Sequence, residues 1–177
     1  MNSSFLNPKD IVKNLNLHDN MIVADFGCGS GFFSLAMANL VRPSGKIIAI
    51  DIWKPALDAL NLKAKLAGVY NIIESKQIDL EQENNPALTK ETVDLVLISN
   101  MLFQTEQKEI VLQNAWNFLK KDGYLAILEW EPDKLPNVYA LKPITKDELL
   151  SLCQKAGFIA DREIVSNETH YGILMKK

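Results

Sequence analysis

Cysteine is scarce in this chain, and its scarcity excludes two classes of small protein. The two cysteines, Cys28 and Cys153, lie far apart, one inside a glycine-rich segment and the other on the apolar side of an expected helix. Isolated thiols of this kind do not give the paired spacings of a disulfide framework or a metal site. We therefore predict no disulfide and no bound metal, with Cys153 in the core and Cys28 as a small spacer in its loop.

Long apolar runs are also missing. No segment approaches the ~20 consecutive apolar residues that a membrane-spanning helix needs. Residues 1–5 lack the basic and apolar parts of a signal peptide. From these absences we expect no membrane span and, by default, a cytoplasmic location.

The chain has no excess of positive charge. Its 19 basic and 22 acidic residues give a formal net charge of −3, whereas phosphate binding favours basic faces, so we expect no nucleic-acid partner. The length of 177 residues and the 47% of apolar side chains suit one compact domain over residues 1–177.

Strand-like and helix-like segments alternate along the chain. Apolar runs predict strands over residues 21–25, 46–51, 72–78, 93–98, 124–128, 158–165 and 170–175. Periodic segments predict helices over residues 8–17, 30–41, 55–68, 105–120 and 145–157, the last with Thr145 and Glu148 as a reciprocal cap. This order predicts an α/β fold with a doubly wound, mostly parallel sheet and an antiparallel C-terminal hairpin. Ligands on such sheets bind beyond the carboxyl ends of the strands.

A glycine-rich segment follows the first predicted strand. That strand ends in Asp25, and glycines then stand at alternate positions 27, 29 and 31. Glycines in such a turn let the backbone pass close to a ligand, and an acid at the end of the next strand can accept both hydroxyls of a ribose. Asp51 occupies that second place, so the pair predicts a site for a nucleoside-bearing cofactor.

Two classes of cofactor compete for this site. Dinucleotide-binding loops need a third glycine where this chain has Phe32, whose bulk is hard to reconcile with close helix–strand packing. Asp25, two residues before the first glycine, would also repel a pyrophosphate. S-adenosylmethionine carries a sulfonium and an ammonium group and no phosphate, so the charges favour it. A nicotinamide-dependent oxidoreductase and a non-catalytic cofactor-binding module stay as alternatives.

The sequence resembles the class I S-adenosylmethionine-dependent methyltransferases over nearly its whole length. Residues 23–31 look like their first motif, Asp51 like their ribose-binding acid, and residues 78–79 like the segment that contacts the adenine. Residues 119–125 are similar to their turn into strand five. The segment from residue 144 onward is similar to the type 11 group, which includes ubiquinone/menaquinone-biosynthesis and arsenite methyltransferases. The resemblance implies a Rossmann-like sheet of seven strands with the last one reversed.

Cofactor-binding residues follow from the motifs and from the resemblance. They are Asp25, Gly27, Cys28, Gly29, Ser30, Gly31, Asp51, Ile52, Asp79, Leu80, Ser99, Asn100 and Met101. Within this set Asp25 would orient the loop or bind the ammonium group, and Asp51 would bind the ribose. Asp79 and Leu80 would contact the adenine edge, and residues 99–101 would flank the sulfonium and its methyl group.

The acceptor side gives fewer signals. Glu129 could position a substrate or take a proton, or it could be a solvated strand end; His170 could face the substrate or lie on the surface of the hairpin. Methyl transfer is an in-line displacement in which alignment supplies much of the acceleration, so a base is needed only for a poor nucleophile. We expect a small-molecule acceptor, a monomer or homodimer, and a lid formed by residues 1–20 and the loop 130–144. Two isolated cysteines argue against arsenite.

Overall fold

The computed structural model describes residues 6–88, 90–134 and 143–177, and within them the strands and helices alternate as the sequence predicts. The strands are β1 (Ile22–Phe26), β2 (Lys46–Asp51), β3 (Ile73–Gln77), β4 (Val93–Ser99), β5 (Leu119–Trp130), β6 (Ile159–Ser166) and β7 (His170–Lys176). The α-helices are α1 (Pro8–Ile11), α2 (Phe32–Val41), α3 (Lys54–Leu66), α4 (Lys108–Phe118) and α5 (Lys146–Lys155). Short 3₁₀ turns follow α1, β4 and β5, at Val12–Leu15, Leu102–Gln104 and Pro132–Lys134.

The strands form one sheet in the order β3-β2-β1-β4-β5-β7-β6. Strands β1 to β5 run parallel to one another, and β7 pairs antiparallel with both β5 and β6. The predicted fold class is confirmed, including the reversed strand and the C-terminal hairpin. The order reverses on either side of β1, so the crevice beyond β1 and β4 lies at the topological switch point, where ligands bind.

Apolar side chains cover both faces of the sheet. Alternate residues of a strand point to opposite faces, and in β1 this sends Phe26 into one core cluster and Val23 into the other. Leu112 of α4 packs in the first cluster and Met37 of α2 in the second. Cys153 is fully buried in the first cluster, as expected.

Several boundaries differ from those expected. The N-terminal helix is one α-helical turn followed by a 3₁₀ turn, and α4 begins at Lys108 rather than at Thr105. Strand β5 extends to Trp130, two residues beyond the predicted end at residue 128, because it pairs with β7 up to His170.

Two local predictions concern the C-terminal part of the chain. The cap of α5 is present as predicted: the Thr145 side chain accepts from the N–H of Glu148, and the Glu148 carboxylate accepts from the N–H of Thr145. Of the expected lid segments, residues 1–5 and 135–142 lie outside the described residues. In the described part of the chain no helix has both the length and the apolar character needed to span a membrane.

Candidate functional site

The glycine loop between β1 and α2 adopts a shape that favours glycine at three points. Gly27, Gly29 and Gly31 have φ values of 69°, 51° and 82°, in the left-handed region that side chains disfavour. A Cβ atom on Gly31 would lie 2.1 Å from Cδ1 of Leu60 in α3. The close approach between loop and helix therefore occurs at Gly31. Phe32, expected to obstruct this packing, turns its ring outward and leaves it exposed.

Asp51 is fixed against the tip of the glycine loop. Its Oδ2 accepts a hydrogen bond of 2.8 Å from the N–H of Gly29, and its Oδ1 accepts one of 2.8 Å from the N–H of Trp53. A carboxylate has about four acceptor directions, so two remain for hydroxyl donors. A Cβ on Gly29 would meet no heavy atom within 4 Å, which leaves open space beside this carboxylate. The geometry fits a vicinal diol such as ribose.

A cavity of about 260 Å³ extends from Asp51 toward β3. Apolar side chains and three acidic residues share its walls, which include Gly27, Asp51, Ile52, Asp79, Leu80, Glu81 and Met101. The Asp79 Oδ1 accepts the N–H of Glu81, and this bond fixes the direction of the carboxylate. Apolar walls that also carry carboxylate acceptors fit a flat, hydrogen-bond-donating heterocycle joined to a diol.

A second cavity of about 710 Å³ lies on the other side of Gly27, which lines both. Predicted cofactor residues form part of its wall: Asp25, Cys28, Gly29, Ser30, Ser99 and Asn100. Apolar side chains that the sequence did not single out form much of the rest: Leu6, Pro8, Phe33 and Trp130. The two cavities together thus collect every predicted cofactor residue except Gly31, whose backbone supports the loop.

Asp25 lies at the inner end of the larger cavity and is 2% exposed. The Ser34 hydroxyl donates to its Oδ2 at 2.5 Å. Burial raises the pKa of Asp25 to about 7, and the nearby Asp51 charge adds to the rise, while the bonds from Ser34 oppose it. A cation beside a carboxylate favours its ionised form, so this group suits a positively charged ligand.

His170 is buried, at 2% exposure, and not on the surface of the hairpin. The β5–β7 register places it opposite Trp130, and the two rings lie 3.9 Å apart. The ring faces the larger cavity, where its Nε2 lies 3.3 Å from Nδ2 of Asn100. Burial lowers the pKa of His170 to about 4, so the imidazole is neutral at pH 7.

The hydrogen bonds around His170 favour a proton on Nδ1. Asn167 Oδ1 accepts two backbone N–H groups and also lies 3.0 Å from the Thr169 hydroxyl, which therefore donates to it. The Thr169 oxygen then accepts from Nδ1–H of His170 at 2.9 Å. Nε2 remains as an acceptor, and it takes the amide N–H of Asn100. The Asn100 Oδ1 is left without a partner among the described residues.

Glu129 is buried as well, at 1% exposure, so it is not a solvated strand end. Its Oε1 accepts the backbone N–H of Met101 at 3.1 Å and of Leu102 at 2.7 Å. Burial raises the pKa of this carboxyl to about 7, against the lowering effect of these bonds. Glu129 is not among the residues that line either cavity. Its predicted catalytic role stays a prediction.

Some site residues gave little or no signal in the sequence. Ser34 is a polar residue inside the buried stripe of α2, and only the packing of α2 on β1 shows that it meets Asp25. Trp130 could have been found by alternation, because it points to the opposite face from Glu129. In the described part of the chain no group of three His, Cys, Asp or Glu side chains could hold a metal ion.

Comparison with known proteins gives a consistent result. A family model described as a methyltransferase domain matches residues 17–172. The demethylmenaquinone methyltransferase of Lactobacillus johnsonii is 30% identical over 121 residues, which cover 68% of this chain and 48% of that protein. The ubiquinone/menaquinone biosynthesis C-methyltransferase of Pasteurella multocida is 31% identical over 120 residues, 66% of this chain and 44% of that protein. The chain thus spans about half the length of these curated relatives or less.

A solved structure agrees with the observed fold. The crystal structure of a SAM-dependent methyltransferase from Aquifex aeolicus matches with a TM-score of 0.82 at 22% sequence identity. The match covers 96% of this chain and 89% of that one.

Proposed function

The chain belongs to the methyltransferase domain family, and on that premise we propose that it transfers a methyl group from S-adenosylmethionine to a small-molecule acceptor. The methyltransferase family expected from the sequence is confirmed, and the cofactor and the transfer reaction expected with it belong to this proposal. The comparisons give no support to a nicotinamide-dependent oxidoreductase or to a non-catalytic module.

The cofactor-binding half of the proposal rests on Asp51. Its carboxylate is held by Gly29 and Trp53 and keeps two acceptor directions free beside an open space. In this account Asp51 binds the ribose hydroxyls, and Ile52, Asp79 and Leu80 surround the adenine in the smaller cavity. Gly27, which lines both cavities, marks the point where the ligand passes from one to the other. This anchored carboxylate is the observation that supports the proposal most strongly.

The methionine end of the cofactor would occupy the inner part of the larger cavity. Asp25 lies there, together with backbone of the glycine loop. Bound S-adenosylmethionine supplies a methyl group activated by its sulfonium. Asp25 would complement the positive charge of the ligand, and ligand binding would favour the ionised form of this carboxyl.

The acceptor would occupy the remainder of the larger cavity. Apolar walls from Leu6, Phe33 and Trp130 suit an uncharged molecule with a ring or an alkyl part. His170 is neutral at pH 7 and offers no charge there. Curated relatives of this chain are named for demethylmenaquinone and ubiquinone/menaquinone biosynthesis, which supports an apolar ring compound as the acceptor class.

The chain's own residues would act by alignment and by exclusion of water. The Asn100 amide, oriented by His170, would form part of the wall that aligns the acceptor molecule. Alignment of this kind reduces the entropic part of the barrier, and closure around the ligand strengthens the polar contacts. The cytoplasmic location, the absence of a nucleic-acid partner and the monomer or homodimer state stay predictions.

A transfer assay tests the proposed function. The protein is incubated with S-adenosylmethionine labelled in its methyl group, first with a panel of uncharged phenols and reduced quinones and then with charged amines and carboxylates. We expect label in the extracted apolar products and S-adenosylhomocysteine in equal amount. Label only in the charged products would contradict the acceptor class, and no transfer despite cofactor binding would favour the non-catalytic alternative.

A further inference from the structure

Glu129 lies behind the loop that joins β4 to α4, on the side away from the larger cavity. Consecutive residues of β5 point to opposite faces of the sheet; Trp130 lines the larger cavity, and Glu129 projects the other way. Tyr171, its partner in the β5–β7 register, is buried in the core cluster of that second face. A carboxylate placed there can influence a bound ligand only through the loop in front of it.

The backbone of this loop converges on the carboxylate. Asn100 has a φ of 52°, in the left-handed region, and the N–H groups of the next two residues both donate to Glu129 Oε1. The N–H of Phe103 also favours the ionised carboxylate. Successive N–H groups that follow a left-handed residue form a concave anion-binding arrangement, and here the anion is a side chain of the same protein.

The loop so held forms part of both cavities. Ser99 and Asn100 line the larger one, and Met101 lines the smaller one together with Gln104 and Thr105. Met101 also packs on the glycine loop, since a Cβ on Gly27 would lie 2.8 Å from its Cγ. A shift of this segment would therefore change both binding surfaces at once.

Fold stability alone does not account for a carboxylate at this position. Glu129 Oε2 is buried and has no hydrogen-bond partner among the described residues. Burying a charge with an unpaired oxygen is unfavourable, and an apolar residue of similar size often serves a core better. The acceptor that Oε1 offers to the loop is what the carboxylate adds.

We propose that Glu129 is a positioning residue that holds residues 100–103 in the conformation required for cofactor binding. The inference rests on the proposed function, because it assigns the loop to the cofactor site. It replaces direct proton transfer by Glu129 with an indirect role exerted through Met101 and Leu102.

Two substitutions and one control test this role. Glu129→Leu keeps the site filled but gives the two N–H groups no acceptor, whereas Glu129→Gln retains a carbonyl oxygen. Glu131→Gln removes the same charge two residues further along the chain. At pH 8 we measure S-adenosylhomocysteine affinity by calorimetry, thermal unfolding, and hydrogen exchange of the Leu102 amide by NMR.

We expect Glu129→Leu to weaken S-adenosylhomocysteine binding about tenfold and Glu129→Gln about threefold or less, the scale of losing hydrogen bonds to a charged group. The Leu102 amide should exchange slowly in the unchanged protein and in Glu131→Gln, and faster in Glu129→Leu, with no matching fall in melting temperature. Glu131→Gln should bind as the unchanged protein does.

Unchanged affinity in a folded Glu129→Leu protein would overturn the inference. If Glu129→Leu fails to fold, either of two other results would overturn the inference. One is rapid exchange of the Leu102 amide in the unchanged protein. The other is a Glu129→Gln variant whose loss of affinity for S-adenosylhomocysteine matches its loss of stability. Failure of the unchanged protein and of Glu131→Gln to bind S-adenosylhomocysteine would contradict the proposed function, and slow exchange of Leu102 would then still support the hold on the loop.

Discussion

The two halves of the site are built in different ways. On the β1–β2–β3 side, backbone groups hold Asp51 and the glycine loop, and the partners are close in sequence or on adjacent strands. On the β4–β5–β7 side, one side chain is held by another across a long separation, as Asn100 is by His170.

Because of this difference, the two halves differ in the substitutions that they tolerate and in the ligands that they recognise. The backbone geometry that glycines set does not depend on the identity of the neighbouring side chains. It therefore suits a ligand that does not vary, such as a cofactor. Side-chain networks change with single substitutions, so they suit the part of the site that distinguishes one acceptor from another.

The largest effect is expected from Gly31→Ala in the backbone-built half. The new methyl group would lie 2.1 Å from Cδ1 of the buried Leu60, at a residue with a φ of 82°. Overpacking and left-handed strain together should cost about 3 kcal/mol of unfolding free energy. Gly29→Ala is the control, because its φ is 51° and its Cβ meets nothing; it should cost about 1 kcal/mol. Urea denaturation measures both, and equal losses would contradict the account.

A smaller effect separates the two halves by function. Asp51→Asn should weaken S-adenosylmethionine binding by about 2 kcal/mol, about 30-fold in Kd, since a charged acceptor becomes neutral. Asp58→Asn on the exposed face of α3 should leave binding unchanged. His170→Gln should lower the rate of methyl transfer while the cofactor Kd changes less than about twofold. Calorimetry measures the cofactor Kd, and the transfer assay measures the rate. Equal loss of cofactor affinity in Asp51→Asn and His170→Gln would contradict the division of the site into a cofactor half and an acceptor half.

The smallest effect is expected on stability, from substitution of the buried Asp25. Burial raises its pKa to about 7 from an ordinary value of 3.8, so the folded protein binds more protons than the unfolded chain between those values. Its contribution to stability therefore decreases as pH rises from about 4 to 7. Asp25→Asn keeps an acceptor for Ser34 without the charge, and should be about 1 kcal/mol more stable than the unchanged protein at pH 8, with little difference at pH 4. Denaturation curves at both pH values measure this, and a variant less stable at pH 8 would show that the ionised form is stabilised by contacts beyond Ser34.

The sequence predicted the cofactor half better than the acceptor half, and the reason is physical. Three features depend only on a few neighbouring residues or on the end of a strand: the glycine spacing, the acid that ends β2 and the reciprocal cap at Thr145. Such features can be predicted directly from the sequence. The burial of His170 depends on the register of β5 with β7, and that of Glu129 on the loop folding over it; neither follows from local sequence. Nothing in the local sequence shows that the Ser34 side chain is the hydrogen-bond partner of Asp25.

The most direct test of the account is a crystal structure of the protein with S-adenosylhomocysteine. We expect both ribose hydroxyls within hydrogen-bonding distance of Asp51, the adenine between Ile52 and Leu80, and the part of the larger cavity beside His170 and Trp130 left open for the acceptor. A ligand whose ribose lies away from Asp51, or whose adenine fills the cavity beside His170, would contradict it.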